Sequence, residues 1–429
     1  MDIKQMRLDR RIFKKAIVSI CKAVPASKKI RMIIKKGSTD MVILASQGIN
    51  YSVRRRGLFD FDPDDLCDYS SSSGFTEENY WKYDPEQPKK VVEEPAFWVY
   101  AILHDVEDAE SMNLLTDGKT ICSRLKEVIC NGNQKVHIKK NNGRLNLFFG
   151  DGPEAVRENL AFTDMKEKDE LDYLSKTEFI DELQVNDFSY YFRETKHAIE
   201  PKYHTYFYLD IDAENHIMVT TADSHRASCR GSVTEDVKHS FELNKPEMVR
   251  IAALFLDKAV TIRIPKNDDY LQLTDGIFTV FMPLPIGYRR FNLKRYIADP
   301  KAKAGEDTLT ITAPREKLLS RCKSITSSSV CVRLTVKERT LIAEGYDTAT
   351  GNPDVLNIEK NPRDKNISCG ISGEFICAAL HSITAPSVSI TFTPFYILIT
   401  DHYMSSRRLP HSLRSLELIA ILKDSFHIL

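Results

Sequence analysis

The sequence predicts an α+β protein made of three similar domains in one chain. Three observations carry that reading. Apolar stretches of helical period and short stretches of alternating polarity recur in the same order three times. Tight turns join the alternating stretches, as in largely antiparallel sheets. Charge-rich segments separate the copies. A length of 429 residues also suits several domains of roughly 100–200 residues each.

Each copy reads helix, strand pair, helix, strand pair. In the first, Leu8–Val24 places Ile12, Phe13, Ala16, Ile17 and Ile20 at helical spacing, and Pro25 stops the helix. The runs IRMIIKK and DMVILAS follow as strands around Gly37-Ser38-Thr39. A second helix near Thr120–Cys130 leads into the hairpin KVHIKK and RLNLFFG. The second copy is expected to open with a helix near Lys176, its face carried by Phe179, Ile180 and Leu183. The strands TYFYLDID and HIMVTTAD come next, then the helix Pro246–Lys258 and the strands AVTIRIP, YLQLTDG and IFTVFMPL. The third opens at Pro314 with Leu318, Leu319, Cys322 and Ile325 on one face. VCVRLTV, TLIAEGY, a helix over Gly373–Ile383, SVSITFT, YILITD and a last strand LELIAIL complete it.

Glu154–Tyr173 and Pro300–Asp307 read as linkers, giving domains at 1–160, 171–299 and 307–429. Phe59–Glu94 is acidic, Ser-rich and Pro-bearing. It is expected to be a long, partly disordered surface excursion of the first domain.

Composition narrows the function classes. Sixty Lys+Arg balance sixty Asp+Glu, so the location of charge matters more than its sum. No run approaches the roughly 20 apolar residues of a membrane span. The charged start MDIKQMRLDRRIFKK lacks a secretory core, which points to a cytoplasmic protein with no membrane partner. Nine cysteines without a C-x-x-C pair read as buried free thiols.

Catalytic signatures are missing. No phosphate loop, H-E-x-x-H or G-x-S-x-G is present, and no cofactor or metal is expected. The run Asp60, Asp62, Asp64, Asp65, Asp68 lacks the glycine and closing glutamate of a calcium loop, so a solvated acidic loop is the better reading. Asp223 and His225 have no nucleophile at a recognisable spacing. Two other readings stay open: a nucleic-acid-processing enzyme with an unrecognised site, and a ring-like scaffold that no longer encircles DNA.

Thr221-Ala222-Asp223-Ser224-His225-Arg226 follows a strand directly. It resembles the T-D-G-H-R-L turn in the middle domain of bacterial sliding clamps, the beta subunit of DNA polymerase III. Arg290-Phe291-Asn292-Leu293-Lys294-Arg295-Tyr296-Ile297 resembles that family's R-F-P-D-Y-x-R-V segment, in the same order and domain. Ser224 stands where the family has glycine, Ala227 where it has leucine, and Asn292 where it has proline. The ending ELIAILKDSFHIL differs from the family's short tail and is longer.

The resemblance implies three repeated clamp domains of the processivity fold, each with two helices on antiparallel sheet. It also implies a head-to-tail homodimeric ring, nucleoid-associated during replication, that holds a polymerase to duplex DNA without catalysis. A clamp must hold DNA without reading it, and basic residues attract phosphates with no sequence preference. With helices lining the hole, the expected DNA-facing residues start with Arg10, Arg11, Lys14, Lys15, Lys22, Lys28, Lys29 and Arg31. Arg124, Lys126, Arg250, Lys258, Arg315, Lys317, Arg321 and Lys323 complete the set. The middle domain's first helix is the exception, since Glu178, Asp181, Glu182 and Asp187 outnumber Lys176, Arg193 and Lys196 there.

The family's polymerases, loaders and other factors insert a short hydrophobic peptide between the middle and third domains. Carried over, His225, Arg226 and Ala227 form one wall, with Phe291, Tyr296 and Ile297 nearby and Ile419 and Ile421 opposite. Ala227 and the altered tail imply a partner motif different from the common bacterial one.

Overall fold

Among the described residues of the computed structural model, a unit of ten elements recurs three times: strand, helix, four strands, helix, three strands. The structure describes residues 6–25, 27, 29–48, 96–127, 135–141, 144–149, 156–164, 178–198, 206–222, 225–234, 236–266, 270–284, 308–345, 354–357, 366–401, 415–420 and 427–428.

The first copy comprises β1 (Met6–Asp9), α1 (Arg10–Ala23), β2 (Lys29–Ile34), β3 (Met41–Gly48), β4 (Ala96–Leu103), β5 (Met112–Asp117), α2 (Gly118–Glu127), β6 (Lys135–Asn141), β7 (Arg144–Phe149) and β8 (Val156–Asp164). The second comprises β9 (Phe179–Val185), α3 (Phe188–Thr195), β10 (Tyr206–Asp212), β11 (Ile217–Ala222), β12 (Arg226–Gly231), β13 (Val237–Asn244), α4 (Lys245–Leu254), β14 (Val260–Pro265), β15 (Tyr270–Thr274) and β16 (Phe278–Pro283). The third comprises β17 (Leu309–Pro314), α5 (Arg315–Thr326), β18 (Cys331–Lys337), β19 (Thr340–Gly345), β20 (Asp354–Asn357), β21 (Ile367–Ser372), α6 (Gly373–Ser382), β22 (Ser387–Phe392), β23 (Tyr396–Asp401) and β24 (Ser415–Ala420). A last short strand, β25 (His427–Ile428), follows the third copy.

Local chemistry explains the helices. Asp9 caps α1, its Oδ1 accepting from the Arg11 and Ile12 amides at 2.8 and 3.0 Å. Phe13, Ala16, Ile17 and Ile20 are buried at the expected spacing. Leu318, Leu319, Cys322 and Ile325 do the same for α5, and each buried leucine or isoleucine contributes roughly 1.5–3 kcal/mol. In each copy the two helices pack on one another.

The chain divides into two compact units, Met1–Glu182 with Ile262–Gly287, and Leu183–Thr261 with Tyr288–Leu429. The first holds a twelve-stranded sheet ordered β1-β6-β7-β8-β5-β2-β3-β4-β16-β15-β14-β9. The second holds an eight-stranded sheet, β13-β10-β11-β12-β24-β23-β22-β17, and a five-stranded sheet, β20-β19-β18-β21-β25. The middle repeat thus contributes strands to both units.

The copies meet by one rule. The strand in fourth place of a copy's strand order pairs with the last strand of the next copy: β4 with β16, and β12 with β24, both antiparallel. Gly231 ends β12 at φ +84°, and a Cβ there would stand 2.1 Å from the Ile217 carbonyl oxygen, so only glycine lets β11 and β12 approach.

Several expectations need correction. The second copy opens with a strand, because FIDELQV alternates; Leu183 and Val185 are buried while Ile180 is 58% exposed. The helix begins only at Phe188, after Asp187 at φ 53°. Half of the expected linker Glu154–Tyr173 is β8, paired with β7 and, through Phe162–Asp164, with β5. The added tail ends in β25, which pairs with β21. The Phe59–Glu94 excursion lies outside the described residues.

Candidate nucleic-acid interface and partner groove

Helix geometry sorts the basic residues. On α1 and α2, Arg11, Lys15, Lys22, Arg124 and Lys126 are exposed, and Lys14 reaches the Lys126 carbonyl at 3.4 Å. Lys119, which sequence reasoning missed, is exposed beside them on α2. Lys317 and Lys323 are exposed on α5. Lys29 is exposed at the start of β2, and Lys28 lies outside the described residues.

Other basic side chains are turned to structural use. Arg10 is 5% exposed, and Arg31 is 6% exposed with its Nε donating to Asn113 Oδ1 at 2.8 Å. Arg315 donates to the Leu380 carbonyl at 3.1 Å, and Arg321 to that of Ala343 at 3.4 Å. Arg250 pairs with Glu247 at 2.9 Å, and Lys258 sits half-buried beyond the end of α4.

The acidic objection to the middle copy largely disappears. Asp181 and Glu182 lie on β9 and Glu178 precedes it, while α3 carries Arg193, paired to Glu194 at 2.8 Å, with Lys196 at its C-cap.

Of the expected partner residues, the described ones, His225, Arg226, Ala227 and Ile419, fall at the β12–β24 junction. Arg226 lies directly opposite Ile419, and Ala227 opposite Leu418. Strand alternation puts them on different faces of the sheet. On one face the Arg226 guanidinium stands 4.2 Å over the Phe375 ring, and exposed His225 stacks on the same ring at 6.5 Å and 26°. On the other, Ala227 joins Ala222 and Cys229 in a small apolar cluster bordered by Met218 and Leu416. Ile419 is 1% exposed and belongs to the third copy's core. Phe291, Tyr296, Ile297, Ile421 and Asp223 lie outside the described residues. Sequence reasoning missed Phe375, Met218 and Leu416, which come from elements far apart in the chain.

The same ladder carries a buried polar node. Glu417, 2% exposed, accepts from Arg230 Nη1 at 2.8 Å, Ser228 Oγ at 2.8 Å and Ser382 Oγ at 3.0 Å on one carboxylate oxygen. His197 Nε2 stands 3.1 Å from the other. The four partners come from β12, the end of α6 and the turn after α3. Burial alone would raise the Glu417 carboxyl; the Arg230 guanidinium, seconded by His197 and Ser228, outweighs it and holds the group below its ordinary value. Removing either Arg230 or Glu417 alone leaves a buried charge, at a cost of roughly 3–5 kcal/mol.

Asp401 on β23 shows the opposite balance. Burial pushes it up to about 6, although the Ser415 amide donates to it at 2.6 Å and Arg230 pulls it down. Burial also pushes the Cys229 and Cys369 thiols up to about 12, so they stay protonated and inert.

The two carboxyls respond oppositely to pH. Glu417 stabilises the fold above its unfolded value, and that contribution disappears as pH falls through its lowered folded value. Asp401 costs stability once ionised, with the cost growing as pH rises from 3.8 to about 6 and constant above. Asp401→Asn should therefore raise the thermal midpoint more at pH 8 than at pH 5. An equal gain at both, or a larger gain at pH 5, contradicts this assignment.

No family model and no curated relative matches the chain. Solved structures do. The DNA polymerase sliding clamp from Pseudomonas aeruginosa is 12% identical with a TM-score of 0.68, covering 98% of this chain and 100% of that one. The griselimycin-bound clamp of the same organism, DNA polymerase III subunit beta, gives 12%, 0.68, 98% and 99%. The Helicobacter pylori beta clamp in complex with carprofen gives 13%, 0.67, 98% and 100%. Over its whole length, and at low identity, this chain has the fold of the DNA polymerase III beta sliding clamps.

Proposed function

We propose that the chain is a DNA sliding clamp, a polymerase processivity factor that encircles duplex DNA and performs no catalysis. The observation that carries the reading is the ten-element unit repeated three times, in a fold matched end to end by sliding clamps. The copies act as three clamp domains, 1–160, 171–299 and 307–429. The protein works in the cytoplasm, at the nucleoid during replication; among the described residues no helix is long and apolar enough to cross a membrane.

Two chains close the ring head to tail. Within the chain, β16 and β24 each pair with the preceding copy through β4 and β12. The strands left over by this rule are β8 and β20. β20 has one described ladder, to β19, and Val156–Ala161 of β8 likewise has one, to β7. Pairing β20 of one chain with β8 of the other joins first domain to third and satisfies both edges. β7, the RLNLFFG strand, has β6 and β8 on its two sides and is not an edge.

DNA is held by the exposed lysines and arginines of the helix pairs, through phosphates and without sequence preference. The polymerase and the clamp loader dock with a short hydrophobic peptide at the β12–β24 junction. There the apolar cluster on one face of the ladder supplies affinity, while the Arg226–Phe375 contact on the opposite face holds the strand end that carries exposed His225, which fixes the peptide's direction.

Reversing Lys15, Lys22, Lys317 and Lys323 to Glu should weaken retention on DNA and flatten its salt dependence. The log–log slope should shrink by roughly 0.9 for each phosphate no longer neutralised. An unchanged slope removes these helices from the DNA interface. Arg226→Glu with Phe375→Ala should abolish stimulation of the cognate polymerase while the two-chain mass persists. Full stimulation by this double variant places the groove elsewhere.

A further inference from the structure

The two junctions within the chain follow the same backbone rule with opposite side-chain chemistry. At the β4–β16 junction, Ala101 faces Phe278 and Val99 faces Val280, all at most 1% exposed. At the β12–β24 junction, the corresponding buried face sets Arg230 opposite Ser415 and Ser228 opposite Glu417, all at most 5% exposed. One junction is oily and the other is ionic.

A repeated architecture creates a pairing problem. β4, β12 and β20 are three edges of the same kind, and β8, β16 and β24 are three strands shaped to fill them. The backbone ladder does not discriminate among them, since every strand offers the same donors and acceptors. We infer that Arg230 and Glu417 form a pairing code that directs β24 to β12 and excludes it from the other edges.

Misplacement shows how the code works. On β4, Glu417 would be buried against Val99 and Ala101, without the guanidinium and without the Ser228 hydroxyl. On β20, Leu356 is buried and the strand, DVLN, carries no cation. If β16 took β12 instead, Arg230 would be enclosed between Phe278 and Val280 with no anion. Each wrong junction strands a buried charge, whereas the right one neutralises two at once.

The pair is poorly suited to a purely stabilising role. Arg230 is fully buried, and its Nε and Nη2 have no hydrogen-bond partner among the described residues. Apolar residues of similar volume would hold the junction at least as firmly, as they do between β4 and β16. Selection explains what stability does not. The code acts while the chain folds, and it holds whether or not the protein encloses DNA.

The experiment compares the full-length protein with Arg230→Met plus Glu417→Leu. Each is unfolded in urea and refolded, and mispaired species are counted by native mass spectrometry. Opposed cysteines locate the ladders: Ala227→Cys with Leu418→Cys reports the correct pairing, and Trp98→Cys with Leu418→Cys reports a wrong one. The expected result is a thermal midpoint close to that of the parent, with mispaired species up by about tenfold or more, the ratio that a modest drop in discrimination produces. Refolding as clean as the parent's overturns the code. Should the apolar pair fail to fold, Glu417→Gln keeps the shape and removes the charge. Mispairing must rise in that variant too, and an unchanged level overturns the code in the same way.

Discussion

The constraint on which this architecture rests is the unpaired sheet edge. A strand with free backbone donors and acceptors must find a partner. In this chain the partner of one copy's edge is the last strand of the next copy. Continuous sheets of twelve and eight strands result, in which repeat boundaries leave no break. The same constraint supplies the proposed ring, because a linear series of three copies leaves one edge and one strand unmatched. A second chain satisfies both at once, head to tail.

Everything functional in the proposal hangs on those ladders. The helix pairs pack against the strands, and their exposed residues include several lysines and arginines. β12–β24 pairing brings Arg226 opposite Ile419 and Ala227 opposite Leu418, and the Arg226 guanidinium stands over the ring of Phe375 from α6. The node around Glu417 then ties the ends of α3 and α6 to that same ladder. Non-specific DNA holding needs only exposed charge, whereas partner recognition needs a fixed register, and the buried Arg230–Glu417 pair sits on the ladder that sets it.

Much of this is legible in the sequence. The faces of α1 and α5 and the hairpins β6–β7, β15–β16 and β22–β23 follow from periodicity and turns, because local spacing decides them. β9 reads as a helix because Phe179, Ile180 and Leu183 satisfy a helical spacing that alternation also allows. β12 and β13 escape notice because RASCRG and VKHSFELN look too polar for strands, their polar side chains being satisfied by distant partners. Arg10 and Arg31 read as surface charges for lack of any local sign that they are buried. The Arg230–Glu417 pair is invisible for a stronger reason. A charge inside each of two strands hints at a buried partner, but only the register between two segments far apart in the chain says which. Phe375 is hidden in the same way, since its role comes from the guanidinium of Arg226 above its ring rather than from its own helix.

The central proposal is topological: a clamp of this kind would stay on DNA by surrounding it. The direct measurement loads the protein onto closed circular DNA, linearises half of the sample with a single cut, and follows the bound fraction with both ends unblocked. Encirclement predicts long retention on the circle and rapid escape from the cut molecule by sliding off its ends, at equal salt. Equal retention on both forms would contradict it.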